Sequence, residues 1–328
     1  MRRAHPFGDR EVPQGREGRQ HSYRLSPGGA MKETIGVIGL GIMGGAMAEA
    51  LLASGHAVAG YDVERKARER LRRAGGQPVA SSTVVAERAD IVITSLATSA
   101  ALEDVTERIA AARRPRRSAG LIVIETSTLP IADKERAMKH LARAGVSVLD
   151  CPISGTAVRM KEGSWTIFVS GKAASCRRVA SVLAVFTRNA PYVGAFGNGT
   201  KMKFIANHLV AIYNVAVGES MTFARKMGLD PQQVWELFSG SPVIGHGVFK
   251  LRGKFMVDRK YLPATMKVQV WQKDMQVIGD MAKSVDCPTP LFTACAPIYT
   301  AAMAQGLSQH DTASVCDVLG RMAAVRQE

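Results

Sequence analysis

The stretch TIGVIGLGIMGGAMAEALLASGHAVAGYD, residues 34–62, determines the fold of this 328-residue chain. It begins with a short apolar run, which is typical of a buried parallel strand. A glycine turn and an apolar helix follow, and Gly55 ends that helix before a second apolar run, AVAGYD. The stretch therefore predicts a strand–helix–strand unit of a parallel sheet.

The glycine turn has the pattern G-x-G-x-x-G, which by itself is a weak signal. Here it follows a strand and opens a helix, and an acid, Asp62, ends the next strand at about the expected spacing. A glycine at the second position lets backbone N–H groups approach a pyrophosphate, and the helix N-terminus adds partial positive charge. We predict that the whole turn binds a dinucleotide, through Gly39, Leu40, Gly41, Ile42, Met43 and Gly44.

Asp62 also bears on which dinucleotide binds. Its carboxylate would accept hydrogen bonds from the ribose hydroxyls of NAD and repel the extra phosphate of NADP. Val63, rather than an arginine, comes next, and Arg65 is interpreted as a surface residue. The sequence therefore favours NAD, with NADP the less favoured cofactor.

The rest of the chain divides into two parts. ADIVITSLA and LIVIETST repeat the strand pattern, with helical segments between them, whereas the sequence after Gly197 is helical. Residues 200–227 are predicted to form one long helix, and Asp230 with Pro231 starts the next. We predict an α/β fold: a Rossmann-type doubly wound parallel sheet in residues 31–196, then an all-α substrate and oligomerisation domain in residues 197–328, joined by the long helix.

Residues 1–30 are rich in Arg, Gly and Pro and contain almost no large apolar side chains. Such a segment cannot bury enough surface to order itself. It has neither the apolar core of a secretory signal nor the acid-free composition of a transit peptide. We interpret it as a disordered basic extension upstream of a natural start at Met31.

The net charge of +15 is scattered along the chain rather than held on one face. The one local cluster, Arg113, Arg114, Arg116 and Arg117, is interpreted as a solvated loop. Nucleic acid is therefore not expected as a partner, and no apolar stretch is long enough to predict a membrane span.

The five cysteines and seven histidines show no metal-binding or disulfide spacing. We expect no metal site, and reduced thiols in a cytoplasmic protein.

Two lysines stand at the start of the long helix, in GNGTKMKFIAN. Because positions i and i+4 share a helix face, Lys203 and Asn207 point the same way and Lys201 points elsewhere. The same stripe continues to Asn214. Two amides and an ammonium on a mostly apolar helix are costly unless they line a polar pocket, so we expect such a pocket here.

Four segments, in order, resemble the β-hydroxyacid dehydrogenase family, which includes 3-hydroxyisobutyrate dehydrogenase and tartronate semialdehyde reductase. They are GLGIMGGAMAEALLASGHAVAGYD, DCPISGTAVRMKEGSWTIFVSG, GNGTKMKFIAN and QKDMQVIGDMAK. The resemblance runs from about residue 34 to residue 325 and implies the family's fold and its activity. It also implies pairing of subunits, so we expect a homodimer or homotetramer.

The resemblance also implies site residues. Lys203 matches the catalytic lysine, which would act as general acid and base. The substrate would contact Ser154, Gly155, Thr156 and Asn207. Beyond the glycine turn and Asp62, the cofactor would contact Leu96, Ala97, Thr128 and Lys273, with Thr128 and Lys273 at its nicotinamide end.

Four positions depart from the family pattern. Ala206 stands where the family has Asn or His, and Thr156 replaces the second glycine of S-G-G. Trp165 stands where leucine is usual, and Ala97 replaces a proline. Because these residues lie in or near the expected pocket, the substrate itself stays open.

The expected function is hydride transfer between NAD(H) and a small β-hydroxyacid or its semialdehyde. The alternatives are an NADPH-dependent glyoxylate or succinic semialdehyde reductase, an imine reductase, and a non-catalytic dinucleotide-binding module. Lys203 speaks against the imine reductase, and its presence with Asn207 and Lys273 speaks against the binding module. Glu219 and Asp274 are predicted to be structural partners of buried groups, and His246 to lie in a surface loop.

Overall fold

The computed structural model describes residues 33–113, 120–157, 163 and 165–325. They lie in one compact unit, Lys32–Glu328. The predicted basic extension, residues 1–30, and three of the four clustered arginines, Arg114, Arg116 and Arg117, lie outside the described residues.

A six-stranded parallel sheet carries the first part of the chain, in the order β3-β2-β1-β4-β5-β6. The strands are β1 (Ile35–Ile38), β2 (Val58–Tyr61), β3 (Gln77–Pro78), β4 (Ile91–Thr94), β5 (Ile122–Glu125) and β6 (Ser147–Asp150). β1, β4 and β5 are buried throughout, as short runs rich in Ile and Val should be. The order reverses between β1 and β4, which confirms the doubly wound sheet and puts a ligand crevice at the carboxyl ends of these strands.

Helices cover both faces of this sheet. They are α1 (Ile42–Ala53), α2 (Arg65–Arg73), α3 (Ser82–Arg88), α4 (Ser99–Ala110), α5 (Ile131–Arg143) and α6 (Ala173–Leu183). Alternate residues of the strands point to opposite faces, so Val37 packs with α1, α2 and α6, whereas Ile38 packs with α3, α4 and α5. A short antiparallel pair, β7 (Ile153–Ser154) and β8 (Thr166–Ile167), follows β6.

Helix α7 (Asn198–Lys226) begins the second part of the chain, within two residues of its predicted bounds. Its 29 residues span about 44 Å. Gly197, with φ of 93°, precedes it, and the end of β6 packs against its first turn. The helix therefore projects from the edge of the sheet into the helical part of the chain.

The helical part contains α8 (Pro231–Ser239), α9 (Gly247–Asp258), α10 (Val268–Ser284), α11 (Pro290–Ala304) and α12 (Val315–Met322). As predicted, Asp230 caps α8 and accepts from the backbone N–H of Gln232. Phe204, Trp271 and Tyr299 are buried together in the core of the helical part. The helical region is confirmed, while the division into domains at residue 196 stays a prediction.

In the part of the chain that the structure describes, no helix is both long and apolar enough to cross a membrane.

Candidate active site

The glycine turn lies at the carboxyl end of β1, where the sheet order reverses. Gly39 has φ of +88°, and a side chain there would meet the carbonyl oxygen of Ser95 at 2.2 Å. A Cβ on Gly44 would lie 1.8 Å from the carbonyl oxygen of Gly39, so α1 packs directly on the turn. These two positions therefore require glycine for the fold itself.

Gly41 differs, because a Cβ built there has no described heavy atom within 4 Å. It is the N-cap of α1, and no described side chain caps that helix end. Open space beside an uncapped helix N-terminus fits a pyrophosphate. Ile42 is exposed next to it, whereas the side chains of Leu40 and Met43 belong to the core beneath the turn.

Asp62 closes the other side of the turn, directly after β2. Its Oδ2 accepts from the backbone N–H of Leu40 at 2.6 Å, and its Oδ1 accepts from Glu64 at 2.8 Å. The guanidinium of Arg68 donates to the backbone oxygens of Asp62 and Val63 and lies 5.9 Å from the ring centre of Tyr61. The Asp62 carboxylate therefore lies beside the glycine turn, where the sequence predicts a contact with the ribose. Arg68 is bound to the backbone of the same segment.

The ends of β4 and β5 lie side by side next to the turn. The backbone N–H of Leu96 donates to Ser127 Oγ at 2.8 Å, and Ala97 is exposed beside it. Thr128 is half-buried, and its carbonyl oxygen faces the helical part of the chain. Thus the predicted cofactor contacts that follow β4 and β5 are neighbours at the carboxyl ends of the parallel strands.

Helix α7 presents Lys203 and Asn207 on its buried face, with Lys203 8% exposed and Asn207 3% exposed, while Lys201 is exposed. Asn207 Nδ2 donates to Asp274 Oδ2 of α10 at 2.8 Å, so the prediction of Asp274 as a partner of a buried amide is confirmed. The prediction that Asn214 shares a polar pocket is wrong. It donates to Tyr299 Oη and the Thr312 carbonyl in the helical core.

The Lys203 ammonium is destabilised by its surroundings. Burial lowers its pKa from 10.5 to about 8, Asp274 opposes the shift, and the nearby cations Lys273 and Arg252 reinforce it. A lysine with this pKa exchanges its proton near neutral pH, as a general acid and base must.

Lys273 connects α10 to the sheet. Its Nζ donates to the carbonyl oxygen of Thr128 at 2.6 Å and lies 3.2 Å from Asp274 Oδ1. Asp274 in turn holds Asn207. The structure therefore brings Lys273, Thr128 and Asn207 into one connected group. Lys203 lies close enough to the charges of Lys273 and Asp274 for them to shift its pKa.

The predicted substrate loop begins in β7, which packs near α7. Ser154 is paired with Thr166 of β8, Gly155 is exposed, and no hydrogen bond joins Ser154 to Lys203 or Asn207 among the described residues. Two departures from the family pattern touch each other, since the buried indole of Trp165 donates to the Thr156 carbonyl at 2.7 Å. Trp165 therefore holds the backbone of the loop at Thr156.

One further residue differs from expectation, and another agrees with it. Glu219 is exposed, so the prediction that it pairs with a buried group is wrong, because its side of α7 faces away from the core. His246 lies in the loop before α9, as predicted. It caps α9 by accepting from the backbone N–H of Phe249 at 3.3 Å, and its ring centre lies 4.4 Å from that of Tyr213.

Lys134 was missed by the sequence analysis, although it is buried beside the site and touches both β5 and α7. A signal was present. In the helix IADKERAMKHLAR it occupies the apolar stripe formed by Ile131, Ala137 and Leu141. A lysine at such a position predicts a buried charge that needs partners.

Two family models match most of the chain. Residues 34–194 match the family described as the NAD binding domain of 6-phosphogluconate dehydrogenase. Residues 197–319 match the family described as NAD-binding of NADP-dependent 3-hydroxyisobutyrate dehydrogenase.

Individual relatives extend over most of the chain. L-threonate dehydrogenase of Cupriavidus necator is 31% identical over 88% of this chain and 96% of its own. Mitochondrial 3-hydroxyisobutyrate dehydrogenase of Homo sapiens is 29% identical over 88% of each chain. The crystal structure of a 3-hydroxyisobutyrate dehydrogenase from Salmonella typhimurium superposes with a TM-score of 0.78, at 26% identity, over 88% of this chain and all of that one.

The sheet order, the glycine turn and these matches define an oxidoreductase that uses a nicotinamide dinucleotide. The chain belongs to the β-hydroxyacid dehydrogenase family, as the four sequence segments predict.

Proposed function

We propose that this protein transfers hydride between NAD(H) and a small β-hydroxyacid or its semialdehyde, with Lys203 as general acid and base. The observation that carries the proposal is the buried Lys203 on one helix face with Asn207, next to Lys273 and Asp274. The relatives named above act on hydroxyisobutyrate and threonate, which supports a small hydroxylated carboxylic acid as the substrate.

Different residues of the site would bind the cofactor, transfer the proton and orient the substrate. The glycine turn and Asp62 would hold the dinucleotide, which supplies the hydride acceptor or donor when bound. In oxidation, neutral Lys203 takes the proton of the substrate hydroxyl as hydride leaves the carbon that carries this hydroxyl. In reduction, the Lys203 ammonium returns a proton to the carbonyl oxygen. Because Asp274 fixes one amide N–H of Asn207, the amide oxygen is left to orient the substrate hydroxyl.

The substrate carboxylate would bind at the loop after β7. Ser154 Oγ and the backbone N–H groups around Gly155 would be the donors there, and Thr156 stands where the family has a glycine. Trp165 donates to the Thr156 carbonyl, which ties this end of the loop to the residue that precedes β8.

The function is tested with the purified protein, NAD(H) and NADP(H), and a panel of 3-hydroxyacids and semialdehydes. We expect turnover with at least one acid–aldehyde pair, followed by the absorbance of the reduced nicotinamide. Tight binding of NAD without hydride transfer to or from any member of the panel would instead indicate the non-catalytic binding module.

We expect NAD to be preferred over NADP, because Asp62 would repel the extra phosphate. Replacing the carboxylate by Asp62→Ser should lower kcat/KM for NAD by about tenfold and raise it for NADP, since Arg68 then lies beside the phosphate. Initial rates with both cofactors measure the change. Glu64→Ala, which removes an exposed charge two residues away, is the control and should leave the preference unchanged; a wild-type preference for NADP would contradict the assignment.

We also infer a homodimer or homotetramer. The inference is supported by large apolar side chains that α7 leaves exposed: Met202, Ile205, Leu209, Tyr213 and Phe223. An exposed apolar stripe of this length is typical of an interface between subunits. Light scattering coupled to size-exclusion chromatography measures the mass, and a monomer at micromolar concentration would refute it.

A cytoplasmic location belongs to the same proposal. It is supported by the five unpaired cysteines, four of which are buried.

A further inference from the structure

The buried ammonium of Lys134 joins three separate elements of the fold. The residue lies in α5 and is 1% exposed. Its Nζ has four oxygen partners: Glu125 Oε2 at 2.6 Å, Ser127 O at 2.9 Å, Asp150 Oδ1 at 2.5 Å and Thr200 Oγ1 at 2.9 Å. We call Lys134, Glu125, Asp150 and Thr200 the Lys134 cluster.

Lys134 keeps its charge although it is buried. Burial alone would lower the pKa of Lys134, but the carboxylates of Glu125 and Asp150 outweigh that effect, so its pKa is raised. Glu125 and Asp150 are themselves almost fully buried. Buried ion pairs contribute little net stability compared with apolar packing, so such a cluster indicates a need for defined geometry.

One side of the cluster fixes the start of α7. The backbone N–H of Thr200 donates to Asp150 Oδ2 at 2.8 Å, and its hydroxyl donates to Asp150 Oδ1 at 2.7 Å. The N–H of Gly199 donates to Ser170 Oγ at 3.0 Å. Since residues i and i+3 lie on one helix face, these bonds set the rotation of the turn that carries Lys203.

The other side of the cluster fixes the segment after β5, where the nicotinamide is expected. Lys134 binds the carbonyl oxygen of Ser127, and Lys273 binds the next one, that of Thr128. Two lysines from different helices thus hold two successive carbonyl groups. Through Lys134, this segment and the first turn of α7 share a single hydrogen-bonding centre.

We propose that the Lys134 cluster is a positioning device that holds Lys203 in register with the segment Ser127–Thr128, so that proton transfer and hydride transfer occur at one substrate carbon–oxygen bond. The inference rests on the proposed function of Lys203. Lys134 touches no reacting atom in this scheme and acts through α7.

Thr200→Val tests the device, because valine keeps the shape of threonine and leaves both ion pairs intact. It removes the hydroxyl that accepts from Lys134 and donates to Asp150. We expect kcat to fall by about ten- to a hundredfold, since small displacements of a catalytic group have effects of this size. We expect KM and the Kd for NAD to change less than about twofold, because the groups that bind substrate and cofactor are unaltered.

Hydrogen exchange gives a readout that is independent of turnover. In Thr200→Val, amides in residues 197–207 should exchange faster, while the sheet keeps its protection. Thr200→Ser restores the hydroxyl and should restore both kcat and protection.

Thr222→Val is the matched control. Thr222 is also buried in α7, and among the described residues its hydroxyl has partners in the helical region alone: it donates to the Gly218 carbonyl at 2.8 Å and lies 4.0 Å from Cys316 Sγ. This variant should keep wild-type kcat even if it lowers the melting temperature. If Thr200→Val and Thr222→Val had the same kcat, the positioning device would be refuted while an inactive Lys203→Ala would still uphold the proposed function.

Discussion

Lys203→Ala should abolish turnover while leaving NAD binding intact. General acid–base catalysis by a positioned side chain contributes about 10²- to 10⁴-fold, so we expect kcat to fall by about a thousandfold or more. The glycine turn and Asp62 lie on the sheet, and the alanine does not alter them, so the Kd for NAD should change less than about twofold. Single-turnover absorbance and a fluorescence titration with NAD measure the two quantities.

Lys201→Ala is the control for this experiment. Lys201 carries the same charge two residues earlier, but it is exposed on another side of α7. It should keep wild-type kcat. Equal activity of Lys203→Ala and Lys201→Ala would show that the proton is exchanged with another group.

Gly44→Ala should strongly destabilise the protein. Its Cβ would lie 1.8 Å from the carbonyl oxygen of Gly39 and 3.0 Å from the carbonyl carbon, and these backbone atoms cannot move aside as a flexible side chain can. We expect a loss of about 3 kcal/mol or more in the free energy of unfolding. Urea denaturation followed by circular dichroism measures this loss.

Gly41→Ala separates cofactor binding from folding. No described atom lies within 4 Å of its Cβ, so stability should change by less than about 0.5 kcal/mol. The methyl group would occupy the space where the pyrophosphate approaches, so NAD binding should weaken by about tenfold or more. If Gly41→Ala bound NAD as tightly as the wild type, the pyrophosphate would have to lie elsewhere.

Much of the fold follows from local patterns in the sequence. The short apolar runs and the glycine turn predict the parallel sheet, and the helix predicted for residues 200–227 is observed as Asn198–Lys226. Helical periodicity also separates buried Lys203 and Asn207 from exposed Lys201. These features depend on residues within one or two turns of each other, which is the range that sequence patterns describe.

The contacts that complete the site join residues far apart in the chain, and periodicity cannot supply them. Asn207 and Asp274 are 67 residues apart, and Lys134 and Thr200 are 66 apart. Periodicity also placed Asn214 on the face of Lys203, but the helix extends beyond the sheet, and there this face meets Tyr299 in the helical core. A face of a long helix can therefore serve the active site at one end and the core at the other.

The pH dependence of kcat/KM in both reaction directions tests the role of Lys203 most directly. The pKa of Lys203 is lowered from 10.5 to about 8, chiefly by burial, so the neutral amine becomes the major form above that pH. Oxidation needs the neutral amine, and its kcat/KM should rise with pH and level off above about 8. Reduction needs the ammonium, and its kcat/KM should fall as pH rises through the same value. Profiles that are flat from pH 7 to 9, or that bend together in the two directions, would contradict Lys203 as the group that exchanges the substrate proton.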